Sequence, residues 1–546
     1  MTELDLERGS ERHGRRVGVS PRFVADGHVG HALFIRPIVV VGGLSSVGIE
    51  LAASRLIAPY FGSSTFIWAN LIGLTLTFLA VGYWIGGRVA DRNPRPEILF
   101  SATAVAAFFS GLIPIMSRPI LAGSLRAFDD VDVGAFYGSL LGVLLLFAVP
   151  ITLLGFVTPF AIRLVIADAD RAGSTAGNIY ALSTLGSIAG SFLPVLVLIP
   201  LFGTARTFLI LALALLVPSI LALATLGARG PALVATAMAA VLVTLAVARD
   251  AGAIKPPDRG RLVYETESDQ NYIQVLEQDG RYLLALNEGH AIHSIYDPDE
   301  LLTRGPWDYF MVGPLFTSDP APPTPQRALL IGLAGGTVAR QLTAAYGPIP
   351  IDGVEIDPEI ARVADDYFGM AEPDMANVTT IVADGRYVLR TTDRMYDLIG
   401  VDAYRQPYIP FQLTTEEFFQ EVADRLSPDG VAVINVGRTS TDYRLVDVVA
   451  STMRAVYPSV FLIDTERYAN TIVIGTKQPT DLASFAANVG RLPAGGVLRE
   501  VGERSLATGD VRAAPFGGQV FTDDHAPVEL VVDQIILDAA REEGQP

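Results

Sequence analysis

Residues 327–337 read RALLIGLAGGT, and three later stretches repeat the plan: IDGVEID (351–357), TTIVADG (379–385) and YDLIGVDAYR (396–405). Each is a short apolar run closed by glycine or a carboxylate. Runs of this length, bounded by turn residues, predict buried strands. Helical stretches separate them. One runs to about Ala345, and one opens at Pro358, where proline suits the first turn. Thr414 with Glu417 three residues on predicts a capping box. GVAVINV (430–436), VFLIDT (460–465) and NTIVIG (470–475) supply more strands, with a helix near 442–455. The alternation predicts a doubly wound α/β domain, a parallel sheet with helices on both faces.

In such sheets ligands sit beyond the carboxyl ends of the strands. The first strand is followed by GLAGGT (332–337), whose Gly332, Gly335 and Gly336 let backbone approach a ligand at a helix start. The second ends on Glu355, twenty-three residues past Gly332, a spacing suited to ribose hydroxyls. Asp384-Gly385 follows the third strand, where a carboxylate suits an exocyclic amine. Asp402 follows the fourth. Singly, such residues serve more often as caps and turns. Four in register at successive strand ends point to a site.

Working outward, residues 262–296 alternate in short runs (LVYETE, NYIQVLEQ, RYLLALN), with a hairpin signal at Asp279-Gly280. They predict a small antiparallel β subdomain over 262–317, before the catalytic domain at 326–546. Residues 251–261 form a linker. Upstream, 35–250 is a series of long apolar stretches, and about 20 apolar residues suffice to span a bilayer. Seven spans are expected, near 37–58, 66–87, 97–121, 135–163, 177–202, 206–227 and 231–248. The fourth holds Pro150 and Pro159 and should be kinked. Small residues crowd 172–203, which suits close helix packing. Glu50 and Arg55 fall inside the first span. Holding the bundle together is their plainer use, and a transport role the sharper one. The polar tail 1–34 has no signal-peptide pattern and is expected to be disordered.

Composition agrees with a composite chain. Of 546 residues, 50% are hydrophobic and only 18% charged, yet net charge is −18. Residues 1–35 are neutral, 36–250 carry +3, and 251–546 carry −21. An acidic chain does not suit nucleic acid. With no cysteine there are no disulfides or thiolate metal sites. No metal-ligand cluster appears in the sequence, so none is expected.

The strand-end residues resemble those of the spermidine synthase (polyamine aminopropyltransferase) family, with its methyltransferase-like, Rossmann-like sheet. The whole chain looks like the membrane-fused bacterial group of that family. Residues 332–337 stand in place of the family's G-G-G-D-G-G. Glu355 matches its ribose-binding glutamate and Asp384-Gly385 its adenine-contacting pair. Asp402 matches the aspartate that acts as base and opens Asp-x-x-Asp. SDQNYIQV (268–275) resembles an early donor motif, with Asn271 in the glutamine place. LNEG (286–289), PWDYF (306–310) and TDDHAPVE (522–529) also have counterparts. Two positions depart: Gly335 and Arg405 stand where the family has aspartates.

The resemblance implies transfer of the propylamine group of decarboxylated S-adenosylmethionine, a co-substrate, to a di- or polyamine, with no permanently bound cofactor. Asp402 would be the base. Asn271, Gly332, Gly335, Gly336, Glu355, Asp384 and Gly385 would hold the donor. Asp308, Tyr404, Tyr408 and His290 are acceptor-side candidates, though the tyrosines suit plain packing equally. The expected partners are a small amine, the lipid bilayer and a second copy in a dimer. The expected place is the cell membrane, multi-pass, with the catalytic domain cytoplasmic. Arginines at 88, 92, 95, 163, 171 and 229 mark one membrane face as cytoplasmic by the positive-inside rule, and seven spans would put residue 251 on the other. Two other readings remain open: an S-adenosylmethionine-dependent methyltransferase on the same sheet, and a membrane transporter or sensor that binds a nucleoside or polyamine without turnover.

Overall fold

The computed structural model describes residues 28–61, 65–126, 134–166, 171–249, 257–268, 270–287, 291–318, 324–405, 407–507 and 511–543. The first half is a helical bundle: α1 (His28–Phe61), α2 (Thr65–Arg92), α3 (Pro96–Arg126), α4 (Gly134–Gly155), α5 (Val157–Val165), α6 (Ala172–Leu193), α7 (Ile199–Thr225) and α8 (Arg229–Arg249). A π turn, Pro194–Leu198, joins α6 to α7. By length and apolarity six helical runs can cross a bilayer.

The longest run, Ala172–Thr225, cannot be one straight rod. At about 1.5 Å per residue, Pro194 and Leu211 would stand about 25 Å apart. Yet a methyl group placed on Gly48 of α1 would meet both, each at 3.1 Å. The chain therefore doubles back, and it does so at Gly203, whose φ of 78° is open to glycine. Ala172–Thr225 is therefore two helical segments that meet at Gly203. The fourth pass breaks at Phe156, between α4 and α5. Pro159 has no N–H to offer the Gly155 carbonyl, which explains the break. Small residues bring α1 and α6 together: a Cβ on Gly186 would lie 2.0 Å from the Val40 carbonyl oxygen.

The second half begins with a four-stranded antiparallel sheet, β1 (Arg261–Glu267), β2 (Tyr272–Gln278), β3 (Arg281–Leu286) and β4 (Ile292–Tyr296), in order 1-2-3-4. The β2–β3 turn has positive φ at both Asp279 and Gly280, as a two-residue hairpin requires. A 3₁₀ segment, Pro306–Leu315, leads on. Then follow β5 (Ala328–Ile331), α9 (Thr337–Tyr346), β6 (Ile351–Glu355), α10 (Pro358–Tyr367), β7 (Val378–Val382), α11 (Gly385–Thr391), β8 (Tyr396–Val401), α12 (Glu416–Arg425), β9 (Leu426–Gly437) and α13 (Arg444–Val456). The chain closes with β10 (Ser459–Asp464), β11 (Asn470–Thr476), α14 (Leu482–Arg491), α15 (Val497–Ala507), β12 (Val511–Ala513) and α16 (Val528–Glu543).

The main sheet has order β12-β10-β11-β9-β8-β5-β6-β7, with β5 to β9 parallel. This is a Rossmann-like sheet of the methyltransferase type, apolar on both faces. Two details differ from the sequence reading. β10 and β11 run antiparallel as a hairpin, because the link 465–469 is too short for a crossover helix. The cap of α12 is Thr415, whose hydroxyl accepts from Phe418 N–H at 3.2 Å. Thr414 instead donates to the Phe411 carbonyl, and Glu417 accepts from Asp523 N–H.

The halves are bonded together. Arg55 Nη1 in α1 donates to the Ser268 carbonyl at 2.7 Å, and Thr204 N–H, beside the Gly203 turn, donates to Glu267 at 3.0 Å. Arg55 thus reaches out of the bundle rather than serving it alone. Arg163 and Asp91 pair at the opposite end, so the α/β half docks on the bundle end away from the arginines at 88, 92 and 95.

Candidate active site

The register of the parallel strands decides what meets what. Ile331 lies beside Val354 on one side and Val401 on the other, and Glu355 lies beside Val382. Asp402, Gly332, Glu355 and Asp384 therefore stand in one row at the carboxyl edge. Gly332 has φ +92°, and a Cβ there would press to 2.4 Å on the Asp402 carbonyl oxygen. Only glycine lets these two strand ends lie so close.

Glu355 is buried, and its two oxygens each accept one backbone N–H, from Ala334 at 3.0 Å and Asp357 at 3.1 Å. Each oxygen keeps a lone pair for a further donor. Burial raises its pKa to about 6, against these backbone bonds, which lower it. Asp357 is fully enclosed and accepts from Ser268 Oγ at 2.5 Å, Asn271 Nδ2 at 2.9 Å and Glu359 N–H at 3.0 Å. Asn271 also accepts from Asn287 Nδ2 at 3.0 Å. One polar chain thus joins the small sheet to Glu355.

Asp402 Oδ1 accepts from Asn435 Nδ2 at 2.9 Å, and the Trp307 side chain donates to the same carboxylate. Burial drives its pKa up to about 6, opposed by these two donors. Asn435 is itself fixed, with Oδ1 accepting from Asn470 Nδ2 at 2.9 Å. Such a carboxylate is ionised at neutral pH and close enough to its pKa to exchange a proton.

Several expected residues make structural contacts. Gly335 N–H donates to Ser294 Oγ, so this position packs under the small sheet. Gly336 turns at φ +80° into α9. Asp384 caps α11, accepting from Tyr387 N–H at 2.9 Å, and a Cβ on Gly385 would collide with Ile331. Tyr404 is locked into β9: its hydroxyl donates to the Asn435 carbonyl and accepts from Gly437 N–H. Tyr408 donates to Asp533 of α16 at 2.6 Å. His290 lies outside the described residues.

Asp308 is not brought to the row. It is fully buried and accepts from Thr303, Arg304 N–H, Gln341 and Arg504 Nη2, the last at 2.7 Å. Asp308→Ala would take from the Arg504 guanidinium its carboxylate partner, so it is expected to cost about 3 kcal/mol, read as a lower thermal midpoint. A variant with an unchanged midpoint and weaker amine binding would return Asp308 to the acceptor side.

Residues 314–482 match the family described as Spermine/spermidine synthase domain. A "Probable polyamine aminopropyl transferase" of Bifidobacterium longum is 34% identical over 303 residues, 51% of this chain and 65% of that protein. The C-terminal half contains a spermidine synthase domain. Its family members are aminopropyltransferases, which transfer an alkyl group other than methyl. A "Polyamine aminopropyltransferase" of Vibrio vulnificus is 37% identical over 138 residues, 25% of this chain and 44% of that protein. The chain thus spans less than two thirds of either relative. Among solved structures, a probable spermidine synthase from Corynebacterium glutamicum aligns with 47% of this chain and 96% of its own, at 22% identity and TM-score 0.36.

Around the synthase domain the structure adds residues that sequence reading missed. Trp307, not Asp308, is the member of PWDYF that reaches Asp402. Asn435 and Asn470, at paired strand ends, fix it from the far side. Asp523, within TDDHAPVE, takes both ends of the Arg386 guanidinium at 2.8 Å and the Thr415 hydroxyl at 2.7 Å. That segment clamps the helices after β7 and β8.

Proposed function

We propose that the chain is a membrane-bound aminopropyltransferase that takes its propylamine group from decarboxylated S-adenosylmethionine. Asp402 carries this reading, a part-buried carboxylate held by Trp307 and Asn435 beside the Gly332 turn. Glu355 is assigned the donor ribose, steadied through Asp357 and Asn271. Asp384-Gly385 is assigned the adenine edge. The acceptor nitrogen attacks the propyl carbon attached to the sulfonium, the carbon–sulfur bond breaks, and methylthioadenosine leaves. An alkylammonium has a pKa of about 10, so its lone pair must be freed. Asp402 takes that proton and passes it to solvent.

The test is a donor comparison. Full-length protein in lipid nanodiscs is offered decarboxylated and ordinary S-adenosylmethionine with an amine. Methylthioadenosine from the first donor alone is expected. S-adenosylhomocysteine from the second would make the chain a methyltransferase instead.

The membrane assignment rests on the six apolar runs. A nucleoside donor made in the cytoplasm requires the synthase domain there. Seven passes then put the amino-terminal tail and the loop at residue 93 outside. Lys255, Arg259 and Arg261 on the synthase side stand against six arginines, at 88, 92, 95, 163, 171 and 229, on the other face. The chain lacks cysteine, so single-cysteine labelling is direct. Asn93→Cys should react with an impermeant maleimide on intact cells, and Asp393→Cys only after lysis. Labelling of both from one side would break the seven-pass count, and the reverse pattern would place the synthase domain outside.

A further inference from the structure

Asp402 is held by two donors of different kinds. The Trp307 indole carries an N–H and no acceptor, so it can only donate. Asn435 is not limited in that way. Its carboxamide has an NH₂ at one end and an oxygen at the other, and a half-turn of the group exchanges them. With the NH₂ on Asp402, at 2.9 Å, the amide favours the ionised carboxylate. With the oxygen on Asp402 it would repel the ion and accept from the protonated acid. The end that faces the base therefore biases its charge state. Asn435 is buried, so an unmatched end cannot be left to water.

The far end of that amide meets Asn470, whose Nδ2 donates to Asn435 Oδ1 at 2.9 Å. The pairing of β9 with β11 explains the contact. Asn435 lies opposite Ile472 and Asn470 opposite Gly437, so the asparagines are diagonal neighbours on one face. Gly437 has no side chain, which leaves Asn470 room to lean across. An ionised Asp402 can only accept, so Asn435 turns its NH₂ inward and its oxygen outward, and Asn470 must donate. Conversely, a group at position 470 that can only accept would reverse the chain. Asn435 would give its NH₂ to that group and its oxygen to Asp402, which could meet it only by holding a proton.

We propose that Asn470 is a positioning residue for the base: by donating to Asn435 it keeps the Asn435 NH₂ on Asp402, and so keeps the carboxylate ionised. It acts through Asn435 rather than on the reacting atoms. That Asp402 is a base rests on the aminopropyltransferase reading above; the amide chain does not depend on it. The Asn470 backbone carbonyl separately accepts from Thr465 N–H at 3.0 Å and Thr465 Oγ1 at 3.2 Å, so the side chain can be exchanged without undoing the hairpin.

The test is Asn470→Asp, nearly isosteric, made in the full-length protein and again in an Asn435→Leu background, both in nanodiscs. The new carboxylate is half-buried and ionises before Asp402, whose pKa burial raises to about 6. It acts on Asp402 directly through its charge and also through the Asn435 amide. Only the direct effect survives in Asn435→Leu. The acid limb of kcat is expected to move up by about one to two pH units more with Asn435 present than without it, the worth of a lost hydrogen bond to an ion. Donor KM should stay unchanged. A second readout needs no turnover. The gap in thermal midpoint between each protein and its own Asp402→Asn counterpart opens above about pH 4 and levels off at the folded-state pKa of Asp402. That plateau should move with the acid limb. Equal movement in the two backgrounds would leave only a through-space charge and overturn the proposal, as would no movement in either. If no methylthioadenosine forms with any amine, the transferase reading falls, and the thermal plateau alone decides whether Asn470 positions Asp402.

Discussion

Asp402→Asn is expected to lower kcat by about 10²- to 10⁴-fold, the usual worth of a positioned general base, with donor KM nearly unchanged. The amide still accepts from Asn435 Nδ2, so the loop should keep its shape. In the wild type, activity should fall with unit slope below about pH 6, where the carboxylate gains its proton. The variant should lose that limb. The same change should stabilise the fold. A carboxylate raised to about 6 in the folded state, from about 3.9 unfolded, binds more protons folded than unfolded between those values. Its ionisation therefore costs stability, not at all below about pH 4 and fully above pH 6. Removing the charge recovers about 3 kcal/mol at neutral pH. A variant that is less active and also melts higher is the signature of a site carboxylate. Full activity in Asp402→Asn would remove it from the chemistry.

Glu355→Gln should act on the donor instead. Both carboxylate oxygens already receive a backbone N–H, at 3.0 and 3.1 Å, and a carboxamide can satisfy only one of them. Its NH₂ would face the other N–H, so the side chain must turn and lose its hold on the ribose hydroxyls. Losing two hydrogen bonds to a charged acceptor is worth about 3 kcal/mol, or roughly a hundredfold in donor KM. The kcat at saturating donor should fall much less. Calorimetric titration with methylthioadenosine would read the same loss without turnover. Because burial raises this carboxyl to about 6 as well, donor affinity should weaken as pH falls through 6. An unchanged donor affinity in Glu355→Gln would detach Glu355 from the donor.

The two carboxylates were legible in the sequence for the same physical reason. A buried parallel strand is a short apolar run, and the first residue past it lies at the edge where ligands bind. Gly332, Glu355, Asp384 and Asp402 could therefore be picked without seeing the sheet. The long apolar helices and the hairpin at Asp279-Gly280 were legible too, because composition or a turn residue specifies them locally.

What the sequence could not order was contact between distant segments. Trp307 and Asp308 are neighbours with equal claims on paper. The 3₁₀ turn that carries them sends the indole to Asp402 and the carboxylate into the pocket of Arg504. Asn435 and Asn470 look like ordinary strand-end polar residues until antiparallel β11 lies beside β9. Arg55 reads as an intramembrane charge until the bundle end meets the Ser268 carbonyl.

The opening stretch, RALLIGLAGGT and its three echoes, by itself determined an α/β sheet with a carboxylate row at its edge, because hydrophobic period and strand length are local properties. Only the tertiary structure decided which side chains hold Asp402, and that Arg55 of the bundle reaches the Ser268 carbonyl. Those depend on segments hundreds of residues apart meeting in space, and no local pattern encodes that meeting.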